Sequence, residues 1–151
     1  MVNQNVKIAI QALMAVLIVV LGIWLYRSIT EPWEAIERQQ LLTQLTRNQM
    51  VQVRTALTHY EREEDRFPSS LDSLILWLRV DSLAIADPQR IFDENIILDS
   101  LVYSPRTGNA FEYALNDTGR VAIYLLSDPD SEDYIGSEIP DITLLNAASW
   151  E

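Results

Sequence analysis

A continuous apolar segment near the N-terminus constrains this chain most. Residues 8–26 read IAIQALMAVLIVVLGIWLY; they carry no charged side chain, and Gln11 is their only strongly polar residue. An α-helix rises about 1.5 Å per residue, so this run nearly crosses a hydrocarbon core of about 30 Å. Inside lipid the backbone must satisfy its own hydrogen bonds, which favours a helix. The sequence therefore predicts a transmembrane helix over residues 8–26, preceded by a short tail of residues 1–7.

Side chains at the end of this segment fit a membrane interface. Trp24 and Tyr26 lie where the apolar run ends, and Trp33 follows a little further on. Aromatic residues are enriched at the level of the lipid headgroups, so we expect these three to contact lipid. Gln11 and Gly22 lie inside the run, and small or polar residues there favour contact with neighbouring spans.

Two other interpretations of the apolar segment compete with a membrane span. A cleaved signal peptide has an apolar core of about 7–15 residues that ends in a small-x-small site. Here the core is longer and continues into Ile23-Trp24-Leu25-Tyr26-Arg27, a poor cleavage sequence. A buried helix of a soluble protein is the other alternative, but a domain this small cannot hide a helix that is apolar on every face. We expect an uncleaved signal anchor.

Charges beside the span leave its orientation open. Lys7 precedes it, whereas Arg27 and Arg38 follow it among three glutamates. The positive-inside rule therefore gives no clear answer, although a short tail without acidic residues is easily left in the cytoplasm. We expect a bacterial inner (cytoplasmic) membrane protein with its N-terminus in the cytoplasm and its domain in the periplasm. The chain has no cysteine, so disulfides give no information on its redox compartment.

The remaining chain, roughly 120 residues, suffices for one domain. The net charge of the whole chain, −11, argues against a nucleic-acid interface, which needs a basic face. The same charge argues against a domain that lies flat on anionic lipid. The favoured explanation of the acidity is electrostatic repulsion between molecules, which keeps the protein soluble. The more specific alternative is a partner that is basic or that binds through bridging cations.

A long helix is predicted after the span. Thr30 suits an N-cap and Pro32 a first helical turn, so we expect a restart or kink there and a helix from Trp33 to Glu63. Residues 27–45 then form a juxtamembrane stalk or helix, and the acidic domain comprises residues 46–151. A helical face with 3,4,3 spacing is formed by Met50, Val53, Leu57 and Tyr60.

Turn residues and shorter apolar runs follow. After the Phe67-Pro68 turn, Ser69 or Ser70 suits the N-cap of a short helix with Asp72 in its first turn. The strand-like runs are Leu98–Ser104, Ala110–Leu115 and Arg120–Leu126. Gly119 suits a hairpin position with positive φ between the last two. Ser127–Pro140 is predicted as an acidic loop, and the apolar tail from Ile142 to Trp150 is expected to dock.

Phe111, Tyr113 and Leu115 alternate with Ala110, Glu112 and Ala114, which predicts a sheet with one packed face. The fold class is therefore α+β, with an N-terminal transmembrane helix that continues into a long amphipathic helix packed on a small antiparallel sheet.

Two stretches resemble type IV pilins and type II secretion pseudopilins. Residues 53–74, VRTALTHYEREEDRFPSSLDSL, look like the pseudopilin helix that ends in Tyr and leads to an aromatic-Pro turn and a short helix. Residues 103–113, YSPRTGNAFEY, look like the family's Pro–Gly-Asn–aromatic strand entry. The resemblance implies a pilin-like fold. The family's processing motif, a Gly followed by Glu five residues into the mature chain, has no counterpart in residues 7–12.

Candidate chemistry is sparse. His59, the only histidine, lies near a helix end, where a surface or cap position is expected rather than catalysis. There is no G-x-S-x-G, P-loop, zinc-ligand spacing or haem-attachment motif. Oxygen ligands at nearby positions suit Ca²⁺, although a solvated acidic loop is the stronger interpretation. The candidate calcium ligands are Asp128, Asp130, Glu132 and Asp133.

Two tryptophans beyond Trp33 have predicted roles: Trp77 in the core, and Trp150 as tail dock or partner anchor. The first hypothesis is a non-enzymatic, single-pass accessory subunit without a cofactor. It would contact membrane lipids and both transmembrane and extramembrane subunits of a photosynthetic, respiratory or secretion complex. The alternatives are a pseudopilin or minor pilin, and an enzyme or ion sensor built on His59 or residues 128–133.

Overall fold

The computed structural model describes residues 4–92, 96–139 and 141–151. The predicted N-terminal tail of residues 1–7 and the predicted acidic loop Ser127–Pro140 therefore lie partly outside the described residues. Its first element is one helix, α1 (Gln4–Glu64). The predicted restart at Thr30–Pro32 is wrong, because α1 continues through these residues; the alternative, a kink, stays a prediction. Proline keeps a helical φ and removes a single N–H donor, and the Glu, Ala, Ile, Arg and Gln residues that follow favour a helix.

The chain divides into two compact units. The first ends at Leu41 and the second comprises Leu42–Glu151. In the first unit, Val6–Ser28 is 23 residues long, has a mean hydropathy of 2.7 and is exposed along its length. One helix near the N-terminus is therefore long and apolar enough to span a membrane.

The second unit has its core against the C-terminal part of α1. Met50, Val53 and Leu57 are fully buried and Tyr60 nearly so, which confirms the predicted helix face. Apolar side chains from the rest of the unit complete one cluster with them, including Leu74, Phe92, Leu101, Tyr124, Leu126 and Ile135. Asp65, with φ of 55°, follows the last residue of α1 in the left-handed region and ends the helix.

Two short helices follow, each capped by its own sequence. Helix α2 (Leu71–Leu78) begins after Ser70, whose side chain accepts from the backbone N–H of Ser73, while the Ser73 hydroxyl accepts from the N–H of Ser70. This capping box confirms Ser70 as the N-cap. Helix α3 (Ser82–Ala86) begins after Asp81, whose carboxylate accepts from the N–H of Ala84. Single 3-10 turns follow at Pro88–Arg90 and Leu98–Ser100, and another at Ile142–Leu144.

A small antiparallel sheet has the strand order β1-β2-β3. Its strands are β1 (Glu112–Asn116), β2 (Ile123–Ser127) and β3 (Tyr134–Gly136). Tyr113 pairs with Leu126, and Leu126 with Ile135. The predicted alternation of residues 110–115 is confirmed, since Phe111 is buried and Tyr113 and Leu115 are partly buried, whereas the intervening residues are exposed.

Three local predictions are wrong. Residues 98–100 form a 3-10 turn, because the Ser100 hydroxyl donates to the carbonyl of Ile97 and closes the chain on itself; only Tyr103 forms a bridge, with Ala110. Strand β3 lies inside the stretch predicted as a loop. Positive φ occurs at Gly108 and Gly136 rather than Gly119, because the carboxamide oxygen of Asn116 accepts from Thr118 and closes the hairpin loop.

The fold is therefore α+β, with an N-terminal apolar helix, a long helix and a small three-stranded antiparallel sheet, as the sequence predicted.

Candidate functional sites

The apolar part of α1 exposes the residues predicted to contact lipid and neighbouring spans. Trp24, Tyr26 and Trp33 are 68%, 71% and 61% exposed. Gln11 and Gly22 are exposed as well. A Cβ added to Gly22 would meet nothing within 4 Å, so no contact within the chain requires glycine there.

Gln11 and Gly22 share one face of this helix. At about 100° per residue, the eleven steps between them bring Gly22 to within about 20° of Gln11. Ala15 and Ile18 fall on the same face, whereas Val20 lies on the opposite one. Small residues at a helix interface let two backbones approach closely, and a polar side chain can hydrogen-bond across it. The face of Gln11, Ala15, Ile18 and Gly22 is called the small-residue face below.

The four candidate calcium ligands have separate surroundings. Asp133 accepts two hydrogen bonds from the guanidinium of Arg47, at 2.8 Å and 3.0 Å. Asp130 accepts from the Thr107 hydroxyl and from the Asn109 carboxamide at 3.0 Å. The hydrogen bond from Thr107, which has the largest effect, and the hydrogen bond from Asn109 both lower the pKa of Asp130. Both acids are therefore already held by donors of the protein.

The other two candidate ligands differ in burial. Asp128 is only 2% exposed; one carboxylate oxygen accepts from the Ser131 hydroxyl at 2.8 Å and lies 4.0 Å from the Arg106 guanidinium. Glu132 is exposed. Across the described ranges, no group of three or more His, Cys, Asp or Glu side chains is arranged to hold a metal ion. The calcium site stays a prediction of the sequence.

Trp150 has a defined partner on α1. It is partly buried against the core, and the Arg47 guanidinium lies 5.2 Å from the centroid of its ring. A cation over an indole ring is attracted by the ring's electron density. Arg47 thus joins the acidic loop, through Asp133, to the C-terminal segment, through Trp150. Docking of this segment was predicted, whereas the role of Arg47 was not.

His59 is buried, so its predicted surface or cap position is wrong. It is 8% exposed; its Nε2 lies 3.2 Å from a carboxylate oxygen of Asp81, and its ring meets the Trp77 ring edge-on at 5.3 Å. Asp81 also caps α3, so the imidazole contacts a carboxylate that already has a structural role. Asp81-Ser82 has the pattern of a helix start, which was the available signal for this cap. Trp77 is partly buried against the core and donates its indole N–H to Glu64 at 3.0 Å.

Comparison of the chain with protein-family models, curated proteins and solved structures finds no match. Inferences about function therefore rest on the residues and geometry described above.

Proposed function

We propose that this chain is a non-enzymatic, single-pass accessory subunit that docks on a larger membrane complex and stabilises it. The observation that carries the proposal is the candidate span Val6–Ser28, 23 residues with a mean hydropathy of 2.7 that are exposed along their length. In water such a surface is costly to expose, and lipid or another protein must cover it. The proposed setting is a bacterial inner membrane, with the N-terminus in the cytoplasm and the domain in the periplasm.

Continuity of α1 supports a role in docking. The helix that carries the apolar span also supplies Met50, Val53 and Leu57 to the core of the second unit. The span and the domain core therefore share one helix, without an intervening loop. This arrangement suits a structural subunit that is held at two places, in lipid and outside it.

The roles of the polar side chains support a non-enzymatic assignment. Asp81, the carboxylate beside His59, is the N-cap of α3, and Asp133 is bound by Arg47. General acid–base catalysis needs a base positioned against a reacting group. In this domain the best-placed histidine and carboxylates contact structural partners instead.

The small-residue face is the proposed contact with a neighbouring span. We suggest a genetically encoded photo-crosslinking residue at Ile18, on that face, and at Val20, on the opposite face, in the full-length chain in native membranes. Both side chains are exposed, at 68% and 57%, so the pair is matched in accessibility. We expect Ile18 to form a protein adduct and Val20 to react mainly with lipid. Equal protein adducts at both positions, or none at either, would remove the proposed interface.

A second candidate is a pseudopilin or minor pilin of a type II secretion or type IV pilus system. The order of elements supports it: an exposed apolar helix, its continuation into a domain core, a short helix after Phe67-Pro68, and an antiparallel sheet. Mass spectrometry of the mature N-terminus separates the candidates. A cleaved, methylated N-terminus would favour the pilin assignment, and an intact anchor the accessory subunit.

A further inference from the structure

A basic cavity lies in the second unit of this acidic chain. Its volume is about 390 Å³, within the usual range of small-molecule sites. The lining includes Arg54, Arg62, Arg90, His59 and Asn146, and contains no carboxylate residue. In the whole chain acidic residues outnumber Lys and Arg by 22 to 11, so this grouping of guanidinium groups runs against the composition.

Three parts of the fold bring these side chains together. Arg54 and Arg62 are eight residues apart on α1, about two turns, and both line the cavity. Arg90 ends the 3-10 turn Pro88–Arg90, and Asn146 comes from the C-terminal segment. The cavity is therefore built by tertiary structure rather than by one basic run of sequence.

Arg54 is mostly buried, with 22% of its side chain exposed, and most of the hydrogen bonds of its guanidinium are long. It donates to the carbonyl of Asn146 at 2.9 Å, which fixes the guanidinium. Its contacts with the Glu151 carboxylate are 3.3 Å to 3.5 Å long. Charge-assisted hydrogen bonds of this kind are usually about 2.7–2.9 Å, so Arg54 retains capacity for a closer oxyanion.

The other two guanidinium groups are also accessible. Among the described residues, Arg62 forms no ion pair. Arg90 pairs with Asp87 at 3.0 Å, but both side chains are exposed, at 71% and 47%. Ion pairs between exposed groups contribute little, so a ligand can replace Asp87 at small cost.

We propose that this cavity binds the oxyanion group of a small, multiply charged ligand, a phosphate or a polycarboxylate, through Arg54, Arg62 and Arg90. A planar guanidinium presents paired donors that match both phosphate and carboxylate oxygens. Glu151, which is 54% exposed, occupies Arg54 when no ligand is bound and competes with it. This site is independent of the role proposed for the span.

Isothermal titration calorimetry of the full chain in a neutral, phosphate-free detergent tests the proposal, with inorganic phosphate and citrate as probes at constant ionic strength. We expect saturable binding in the native sequence and at least about tenfold weaker binding in the Arg62→Gln/Arg90→Gln variant. Arg120→Gln removes one positive charge from the exposed hairpin loop and should bind normally. Glu151→Gln should bind more tightly, because the competing carboxylate is gone.

Absence of binding by both probes, or equal losses in Arg120→Gln and in the double variant, would overturn the proposal. Phosphatidylglycerol added to the same micelles tests a lipid headgroup as the source of the oxyanion. If only this lipid binds in an Arg62- and Arg90-dependent manner, the proposal of a small, multiply charged ligand is overturned in favour of a lipid headgroup.

Discussion

The guanidinium of Arg47 on α1 makes two hydrogen bonds to the carboxylate of Asp133, which lies 86 positions later in the chain. The shorter one, from Nη2 to Oδ1, measures 2.8 Å. The side chain of Asp133 is 11% exposed, so water can replace the hydrogen bonds from Arg47 less well than it could at a surface carboxylate. The pair connects the long helix to the loop before β3, and the same guanidinium contacts Trp150.

Arg47→Met should therefore destabilise the domain. We expect a loss of about 1–2 kcal/mol, because the variant leaves Asp133 without its donors, while the 38% exposure of Arg47 lets water compensate part of the loss. Urea unfolding of the full chain in mild detergent, followed by near-ultraviolet circular dichroism, measures it. Arg79→Met is the control, since its ion pair with Asp99 is exposed on both sides. Equal unfolding midpoints for the two variants would contradict this assignment.

Gly136→Ala should be among the most damaging single substitutions. A Cβ at this position would lie 2.1 Å from the carbonyl oxygen of Tyr124, and φ is +93°. Because the obstacle is backbone in the neighbouring strand, we expect a loss of at least about 2 kcal/mol.

Gly108→Ala is the matched control for Gly136→Ala. Gly108 also has positive φ, at +79°, but a Cβ there would meet nothing within 4 Å. It should lose only the backbone cost of about 1 kcal/mol. Thermal unfolding of both variants gives the comparison, and equal losses would show that φ alone, rather than the close approach of β2, requires glycine at position 136.

Two tyrosines should limit stability at alkaline pH. Burial raises the pKa of both Tyr113 and Tyr124 above the usual phenol value of about 10. Their hydroxyls donate to the Pro68 carbonyl at 2.9 Å and to the Asn146 carboxamide at 2.7 Å. The unfolded chain therefore loses these protons first, so the stabilisation is complete below about pH 10 and is lost as pH rises.

Ultraviolet absorbance of tyrosinate, recorded together with circular dichroism, tests this expectation. We expect two of the six tyrosines to ionise only as the domain unfolds. Ionisation of all six in one reversible step, with the circular dichroism unchanged, would contradict the burial of Tyr113 and Tyr124.

Calcium should have little effect on the second unit. Asp133 accepts hydrogen bonds from Arg47, and Asp130 accepts them from Thr107 and Asn109. A cation would have to displace these donors. We expect no calorimetric heat and no change in melting temperature when Ca²⁺ is titrated against the full chain. A melting shift that disappears in an Asp128→Asn/Asp130→Asn variant would instead establish the calcium site that the sequence suggests.

Local elements of this fold could be predicted from sequence, because their signals are close together in the chain. The N-cap Ser70 and the buried face of α2 lie within a few residues of each other. The 3,4,3 spacing of Met50, Val53, Leu57 and Tyr60 likewise needs only helix geometry.

Features that depend on distant residues were missed. Nothing near His59 indicates that Asp81, 22 positions later, will contact it, and nothing near Arg47 indicates Asp133. Strand β3 is three residues long and lies among acidic and turn residues, so its periodicity is too short to detect. The basic cavity could not be predicted either, because its arginines come from separate parts of the chain.

The proposed membrane role depends on the small-residue face, and Gly22→Leu tests it. Leucine would fill the space into which a neighbouring span is proposed to pack, whereas Ala9→Leu adds the same bulk on the opposite face of α1. Both positions are exposed within the chain, so neither variant should disturb the domain.

The most direct measurement is the mass of the particle that contains the tagged full-length chain after mild-detergent extraction from native membranes, with its companions identified by mass spectrometry. We predict a particle much larger than the 17.3 kDa chain, with membrane subunits in fixed proportion, that is retained in Ala9→Leu and lost in Gly22→Leu. A chain that emerges alone in its detergent micelle, in the native sequence as in both variants, would contradict the proposed function.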